Sequence, residues 1–347
     1  MGKIIKIILL ILLIAILVIL LGAWSMFGEK VTAAGSVKKL DDGLYYLEYK
    51  GDYGFQEYLD QGGAASAAEM AQYLISFLSG GFWKGDVASV PQDFGCSTLI
   101  AEGSEGMLFG RNYDWEGANG QAMILHTVPK DGYESYSTCW LDFLGFGEGW
   151  KPEGIVNQYM SLAAIYVPLD GINEKGLCIA DLMAGDNEQT NQRTEKTDLT
   201  TTSAIRLLLD RAATVDEAIA LLDQYDMHSD IGRAHHIAIA DASGKSVVVE
   251  YVNNEMIVTE TDALTNHYLC PGEKNGVGNE ESHNRYEKLL SMQPGITEAA
   301  HMKDTMEAVS YTGITQWSIV YNMDNSSFDF YWQRKFDQPF HFELAHS

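Results

Sequence analysis

The chain has 347 residues, 46% hydrophobic and 20% charged, a balance that excludes disorder, collagen-like repeats and low-complexity arrays and allows one large domain or two small ones. Lys and Arg total 23 against 48 Asp and Glu, a formal net charge of −25 at pH 7, which repels phosphate backbones and argues against nucleic acid as a partner. Cys96, Cys139, Cys178 and Cys270 are too few and too scattered for a disulfide framework, and none forms a zinc-type CxxC pair.

After Lys3 and Lys6 the run IILLILLIAILVILLGAW, Ile7 to Trp24, carries no charge. At ~1.5 Å per residue it spans about 27 Å as a helix, close to a bilayer core. Basic residues before the run and none inside it predict a cytoplasmic amino end, a membrane anchor over 1–28 and an extracytoplasmic body. The alternative is a cleaved signal peptide and a secreted protein, since Val31-Thr32-Ala33 offers small residues for a peptidase.

From Glu29 to about Gly62 the sequence is polar and rich in tyrosine, and GGAASAAEMAQYLISFLSGG then reads as a helix between glycine stops, with Met70, Tyr73, Leu74, Phe77 and Leu78 at helical spacing. From Cys96 onward the pattern changes to short runs bounded by Gly, Asn and Asp: CSTLIAE, GMLFGRNYDW, LCIADLM, HHIAIAD and KSVVVEYV read as strands. Between them Thr201 to Tyr225 reads as two helices, the first capped by Ser203 or a neighbouring Thr and the second by Thr214 with Glu217. Elements in blocks predict an α+β fold with largely antiparallel sheets. Gly185 to Asp198 is expected as a surface loop.

Phe94-Gly95-Cys96 opens the first strand of this region, and GSEG, Gly103 to Gly106, turns the chain back as GMLFGRNYDW. A simple antiparallel register sets Cys96 opposite the neighbourhood of Arg111 to Asp114, where a guanidinium can favour thiolate and a carboxylate can orient an amine that takes the thiol proton. Spacing alone favours the plainer reading of a half-buried cysteine beside a surface salt bridge. His235-His236 and His267 do not make a metal site, because neighbouring strand residues point to opposite faces and no third ligand has matching spacing. Cys139, Cys178 and Cys270 read as buried structural thiols. GFWKGD and CWLDFLGFGEGW fit an acyl pocket as well as ordinary core and loop.

The segment CSTLIAEGSEGMLFGRNYDW resembles the opening of the mature chain in the choloylglycine hydrolase and acid ceramidase group of N-terminal-nucleophile amidases, to which penicillin acyltransferases are related. GINEKGLCIADL, the strand pair GKSVVVEYVNNEMIVTETDALTNHYL and Asn284-Arg285-Tyr286 are similar to later family segments in the same order. The resemblance covers roughly Cys96 to Tyr286, with a weaker echo at TQWSIVYNMDNSSFDFYW.

The resemblance implies a four-layer αββα sandwich over 96–347, and the segment ahead of it, 29–95, is expected as a short helical propeptide. It also implies cleavage of the Gly95–Cys96 bond, which frees an α-amine on the residue that carries the thiol. Such an amine titrates near ~7.7–8.0 and serves as base without histidine or cofactor. Carried over residue by residue, Cys96 is nucleophile and base, Asp114 holds its amine, Arg111 supports the thiolate or acyl group, Asn266 donates to the tetrahedral oxyanion, and Arg285 stabilises charge near Cys96. The position that is Asn in bile-salt hydrolases and Tyr in penicillin V acylases is Met183, whose backbone N–H is left as the second donor. This departure weakens the case for bile-salt specificity more than for amide hydrolysis. Asn173, within GINEKG, reads as a turn residue.

The expected activity is hydrolysis of the linear amide of a small N-acyl compound through a thioester on Cys96. Acyl transfer to an amine such as 6-aminopenicillanic acid is the alternative within enzymes, and a non-catalytic surface binding protein is the alternative outside them. Acyl group, amine and oligomeric state are not specified by the residues.

Overall fold

The computed structural model describes residues 22, 24–80, 94–116, 120–144, 149–230 and 232–344. Most of the apolar run proposed as an anchor therefore lies outside the described residues, as does the GFWKGD segment. Among the described residues no helix is long and apolar enough to cross a membrane.

The chain enters through a helix α1 over 24–36 and strands β1 (Lys38–Asp41) and β2 (Leu44–Gly51), followed by helices α2 (Phe55–Asp60) and α3 (Ala67–Ser79). Ser66 caps α3 by accepting from the Glu69 N–H, and Gly80, with φ 64°, ends it in the left-handed conformation. The expectation of a helical propeptide is corrected by β1 and β2, which lie in its polar, tyrosine-rich part. The reason lies in LYYLEYKG. Leu44 and Tyr46 face one apolar layer while Tyr45, Leu47 and Tyr49 face another, so a strand buried on both faces shows no polar alternation.

Next come the hairpin β3 (Phe94–Gly103) and β4 (Gly106–Trp115), then β5 (Ala122–Pro129), β6 (Ser135–Trp140), α4 (Ile155–Met160), β7 (Asp170–Asn173) and β8 (Cys178–Met183). A short parallel pair is formed by β9 (Thr197–Thr200) and, after α5 (Thr201–Arg211) and α6 (Val215–Leu222), β10 (Tyr225–His228). Asp198, placed in a loop by the sequence reading, thus belongs to a strand. Thr200 caps α5 through a reciprocal capping box with Ser203, and Thr214 caps α6 by accepting from Glu217. The remaining elements are β11 (His235–Ala240), β12 (Ser246–Val252), β13 (Glu255–Glu260), β14 (Ala263–Leu264), α7 (Glu280–Met292), α8 (Ala299–Ala308), β15 (Thr315–Asn322), β16 (Ser327–Trp332) and β17 (Phe340–Glu343).

Besides the β9/β10 pair, the described residues form two larger sheets, ordered β1-β2-β5-β6-β7-β8-β11-β12-β13 and β14-β3-β4-β15-β16-β17. All their pairings are antiparallel except β2 with β5. Three apolar layers separate four structural ones. One lies between the nine-stranded sheet and α2, α3, α5 and α6, with Leu74, Leu208 and Ile237 among its members. A second lies between the sheets, holding Cys96, Trp140 and Trp317. The third joins the six-stranded sheet to α7 and α8 through Leu99, Leu289 and Met306. The α+β class and the αββα order of layers agree with the sequence expectation.

The residues ahead of Cys96 are structurally integral. Tyr45, Leu47 and Tyr49 are buried in the first layer, and β2 pairs with β5 over eight residues.

Candidate active site

The β3–β4 hairpin sets the register of the site. Its turn is Ser104-Glu105, closed by the Gly103↔Gly106 pair, and Gly106 takes φ 123°, a conformation open to glycine. Cys96 then falls opposite Tyr113, Gly95 opposite Asp114, and Thr98 opposite Arg111. Alternation turns Arg111 and Tyr113 to the Cys96 face between the sheets and Asn112 and Asp114 to the helix side, where Asn112 donates to the Met306 carbonyl at 2.8 Å. The expected convergence on one face is thus split: Arg111 joins the thiol, and Asp114 approaches the Cys96 backbone from behind.

Arg111 is fully buried and donates to the Asp181 carbonyl at 2.8 Å and the Asn112 carbonyl at 2.9 Å, with its Nε 3.4 Å from Asp170. Asp170 also accepts from Trp317 at 3.0 Å, from Tyr321 at 3.2 Å and from Thr138. This carboxylate anchors the guanidinium beside the thiol. Burial pushes the Cys96 thiol above its ordinary value, and Arg111 works against that, by charge and by a hydrogen bond to the sulfur.

Behind the strand, Arg285 of α7 ties three groups together. One terminal nitrogen donates to the Cys96 carbonyl and to Asp114, both at 3.1 Å, and the other donates to Asn266 Oδ1 at 2.8 Å. That same Asn266 oxygen accepts from the Cys96 backbone N–H at 2.7 Å, while its Nδ2 donates to the Met183 carbonyl at 2.8 Å. Two donors on Oδ1 fix which way the amide points. In the uncleaved chain, then, Asn266 meets Cys96 as an acceptor, and its donor side turns to Met183. Burial pushes the Asp114 carboxyl up to about 6 against Arg285, a 2.5 Å hydrogen bond from Thr315, and Arg111.

Met183 ends β8 opposite His235. Asp181 N–H donates away from β11 to the Leu169 carbonyl, so two residues on, the Met183 N–H faces the same side, past the end of β7. Its carbonyl on that side is the one Asn266 reaches. Gly95 packs tightly: an added Cβ would sit 3.3 Å from Asp114 Oδ2 and 3.4 Å from an Arg285 nitrogen.

A cavity of about 330 Å³ opens from Cys96, Tyr113 and Trp115. Its apolar walls come from Met70, Leu74, Ile75 and Leu78 of α3, from Phe143 and Leu144 of the CWLDFLGF run, and from Val167 and Leu169. The Tyr113 hydroxyl is buried with no partner among the described residues, and burial holds its pKa well above the ordinary phenol value, so it stays a donor.

Gly95, Cys96, Arg111, Asp114, Met183, Asn266 and Arg285 are thus brought to one place. Sequence reasoning missed Asp170, which stands immediately before the GINEKG motif, as well as Thr315 and the cavity wall from α3. Asn173 is a turn residue as expected: its oxygen accepts from the Lys175 and Leu177 N–H groups and its amide donates to Leu209 and Ala212. His235 and His236 part to opposite faces, toward Asp181 and Glu250 respectively. Cys139, Cys178 and Cys270 are buried and free.

Residues 96–268 match the linear amide C–N hydrolases, choloylglycine hydrolase family. A penicillin V acylase from Pectobacterium atrosepticum is 29% identical over 99 residues, 26% of this chain and 26% of that protein, so the match spans about a quarter of that relative. The fold resembles a mutant conjugated bile acid hydrolase from Clostridium perfringens with a TM-score of 0.53 at 15% identity, covering 72% of this chain and 92% of that one. It also resembles a penicillin V acylase from Agrobacterium tumefaciens, with a TM-score of 0.50 at 15% identity over 72% and 86% of the two chains. Residues 96–268 thus belong to the choloylglycine hydrolase family of linear amide C–N hydrolases, and the layered fold agrees with that assignment.

Proposed function

We propose that the protein is an autoprocessed cysteine amidase that hydrolyses the linear amide of a small N-acyl compound. The observation that carries this reading is the junction of Cys96 with both networks: its thiol meets Arg111 and its backbone N–H meets Asn266.

In the first step the Cys96 thiol attacks the carbonyl of Gly95, the acyl group shifts from nitrogen to sulfur as the Gly95–Cys96 amide breaks, and water hydrolyses that thioester, which releases the Gly95 carboxylate and leaves Cys96 with a free thiol and a free α-amine. The new α-amine keeps Asn266 Oδ1 as its acceptor, with Arg285 between that oxygen and Asp114. In turnover the amine takes the thiol proton, the sulfur attacks the substrate carbonyl, and the proton passes to the departing amine. Water then releases the acid from the thioester. The oxyanion meets the Met183 N–H, the second hydrogen of Asn266 Nδ2 and the Tyr113 hydroxyl, which stands in for the side-chain donor that methionine lacks. The acyl group lies against the apolar wall from α3.

The segment ahead of Cys96 is retained after cleavage, because it forms two strands of a sheet and one wall of the cavity. Attachment to a membrane through the apolar run from Ile7, with the body outside the cytoplasm, completes the proposal.

The test is incubation of the purified protein with a fatty-acyl amide, with and without an acceptor amine. Free acid as the sole product supports hydrolysis, and a new amide supports the acyltransferase. Identical turnover by the Cys96→Ala chain overturns both.

A further inference from the structure

One end of the cavity is polar in a way the chemistry at Cys96 does not use. On the helix-facing side of β8 and β11, His235 Nδ1 lies 2.9 and 3.1 Å from the two carboxylate oxygens of Asp181. Asp230 sits next to them and accepts from the Thr202 N–H in the first turn of α5 at 2.9 Å. Asp181, Asp230, His235 and Thr202 all line the same cavity as Cys96. His235 is only 8% exposed, yet its Nε2 has no partner among the described residues, and neither has the buried Oδ1 of Asp230.

The protonation states follow from the neighbours. Nδ1 is committed to Asp181 as a donor. Burial works against a charged ring, but Asp181 and then Asp230 outweigh it and hold the His235 pKa above its ordinary value. Burial raises the Asp230 carboxyl above its ordinary value, while His235 and the Thr202 N–H work toward the carboxylate. Nε2–H is therefore an unused donor, and Asp230 Oδ1 an unused acceptor, at one end of an otherwise apolar space.

We propose that His235 and Asp230 bind a neutral group on the substrate that accepts and donates at once, a hydroxyl or a primary amide. A charged group carries the larger desolvation cost in this otherwise apolar space, which favours a neutral one. His235 faces Met183 directly across the β8/β11 ladder, which sets the two Cα atoms about 4.5–5.5 Å apart. The recognised group therefore lies within a few bonds of the scissile amide, while the apolar chain runs on between α3 and Val167. Asp181 is a positioning residue that fixes the ring. This inference deepens the amidase reading and rests on it for the placement of the scissile bond.

Binding to the Cys96→Ala chain tests it without turnover. Two matched pairs serve as probes: a decanoyl amide with and without a hydroxyl on the β carbon, and decanoyl ethanolamine against decanoyl ethylamide. The first reports on the acyl side and the second on the amine side. The expected result is a preference for the hydroxylated member of one pair by at least ~10-fold in Kd, as for a site built to pair with a substrate hydroxyl. In Cys96→Ala chains that also carry His235→Phe or Asp230→Ala, that ratio falls to within about twofold of unity. Equal affinities within both pairs overturn the inference, as does a preference that survives both second substitutions. Absence of turnover by the wild-type chain, alongside an intact hydroxyl preference in binding, counts against the amidase reading alone.

Discussion

The side-chain oxygen of Asn266 accepts the backbone N–H of Cys96 at 2.7 Å. This contact joins the residue that carries the nucleophile to β8, because the same amide donates to the Met183 carbonyl. Removing it leaves a buried Cys96 N–H unpaired, which costs about 1–3 kcal/mol. Asn266→Ala is expected to fold, to lower thermal stability, and to slow release of the amino terminus at Cys96 by ~10–10², the rate equivalent of that lost contact. A time course of intact mass checks it.

Gly95 is tight against Asp114 and Arg285, where an added Cβ meets both at 3.3–3.4 Å. Gly95→Ala is expected to process slowly and Gly95→Val to process least, in that order, with circular dichroism unchanged. Equal rates in all three chains contradict a steric role for the glycine.

Processing should depend on the charge of Asp114. Its carboxyl is neutral below about 6 and ionised above, because burial raises it from the usual carboxylate range. Below that inflection Arg285 loses its counterion beside the Cys96 carbonyl, so processing falls as pH falls. The Thr315 hydrogen bond favours the ionised form, so Thr315→Val is expected to move the inflection upward. A pH series of processing rates on the two chains measures the shift.

In the proposed mechanism the Tyr113 hydroxyl supplies the side-chain donor that methionine at position 183 lacks. Tyr113→Phe is expected to lower kcat by ~10²–10³ with KM within about threefold, the pattern of an interaction made only in the transition state. An equal rise in KM at constant kcat points instead to substrate binding.

The segment ahead of Cys96 should survive cleavage. Leu47 and Tyr49 are fully buried against the helices, so Leu47→Ala is expected to cost about 2–5 kcal/mol. After cleavage the two pieces should elute together and part only in denaturant. Loss of the upstream piece under native conditions contradicts this.

Much of the site was legible in the sequence because it sits on one hairpin and three ordered motifs. The turn at Ser104-Glu105 fixes the register, and register fixes which residues face Cys96. What register alone misjudged was the face: Asp114 and Arg111 differ by three positions, an odd number, and so diverge across a strand. Asp170 and Thr315 act through contacts between strands far apart in sequence, which no local pattern announces. The strands before α3 were hidden for the opposite reason, since a segment apolar on both faces carries no period of two. The Asp181–His235 pair did not enter the sequence reading, which weighed His235 only as a metal ligand and not as a hydrogen-bonding partner.

The mass of the purified full-length chain tests the central claim most directly. The account predicts a new amino terminus at Cys96 in the wild type, and an uncut chain without amide turnover for Cys96→Ala. A wild-type chain that stays whole and still hydrolyses amides would contradict it.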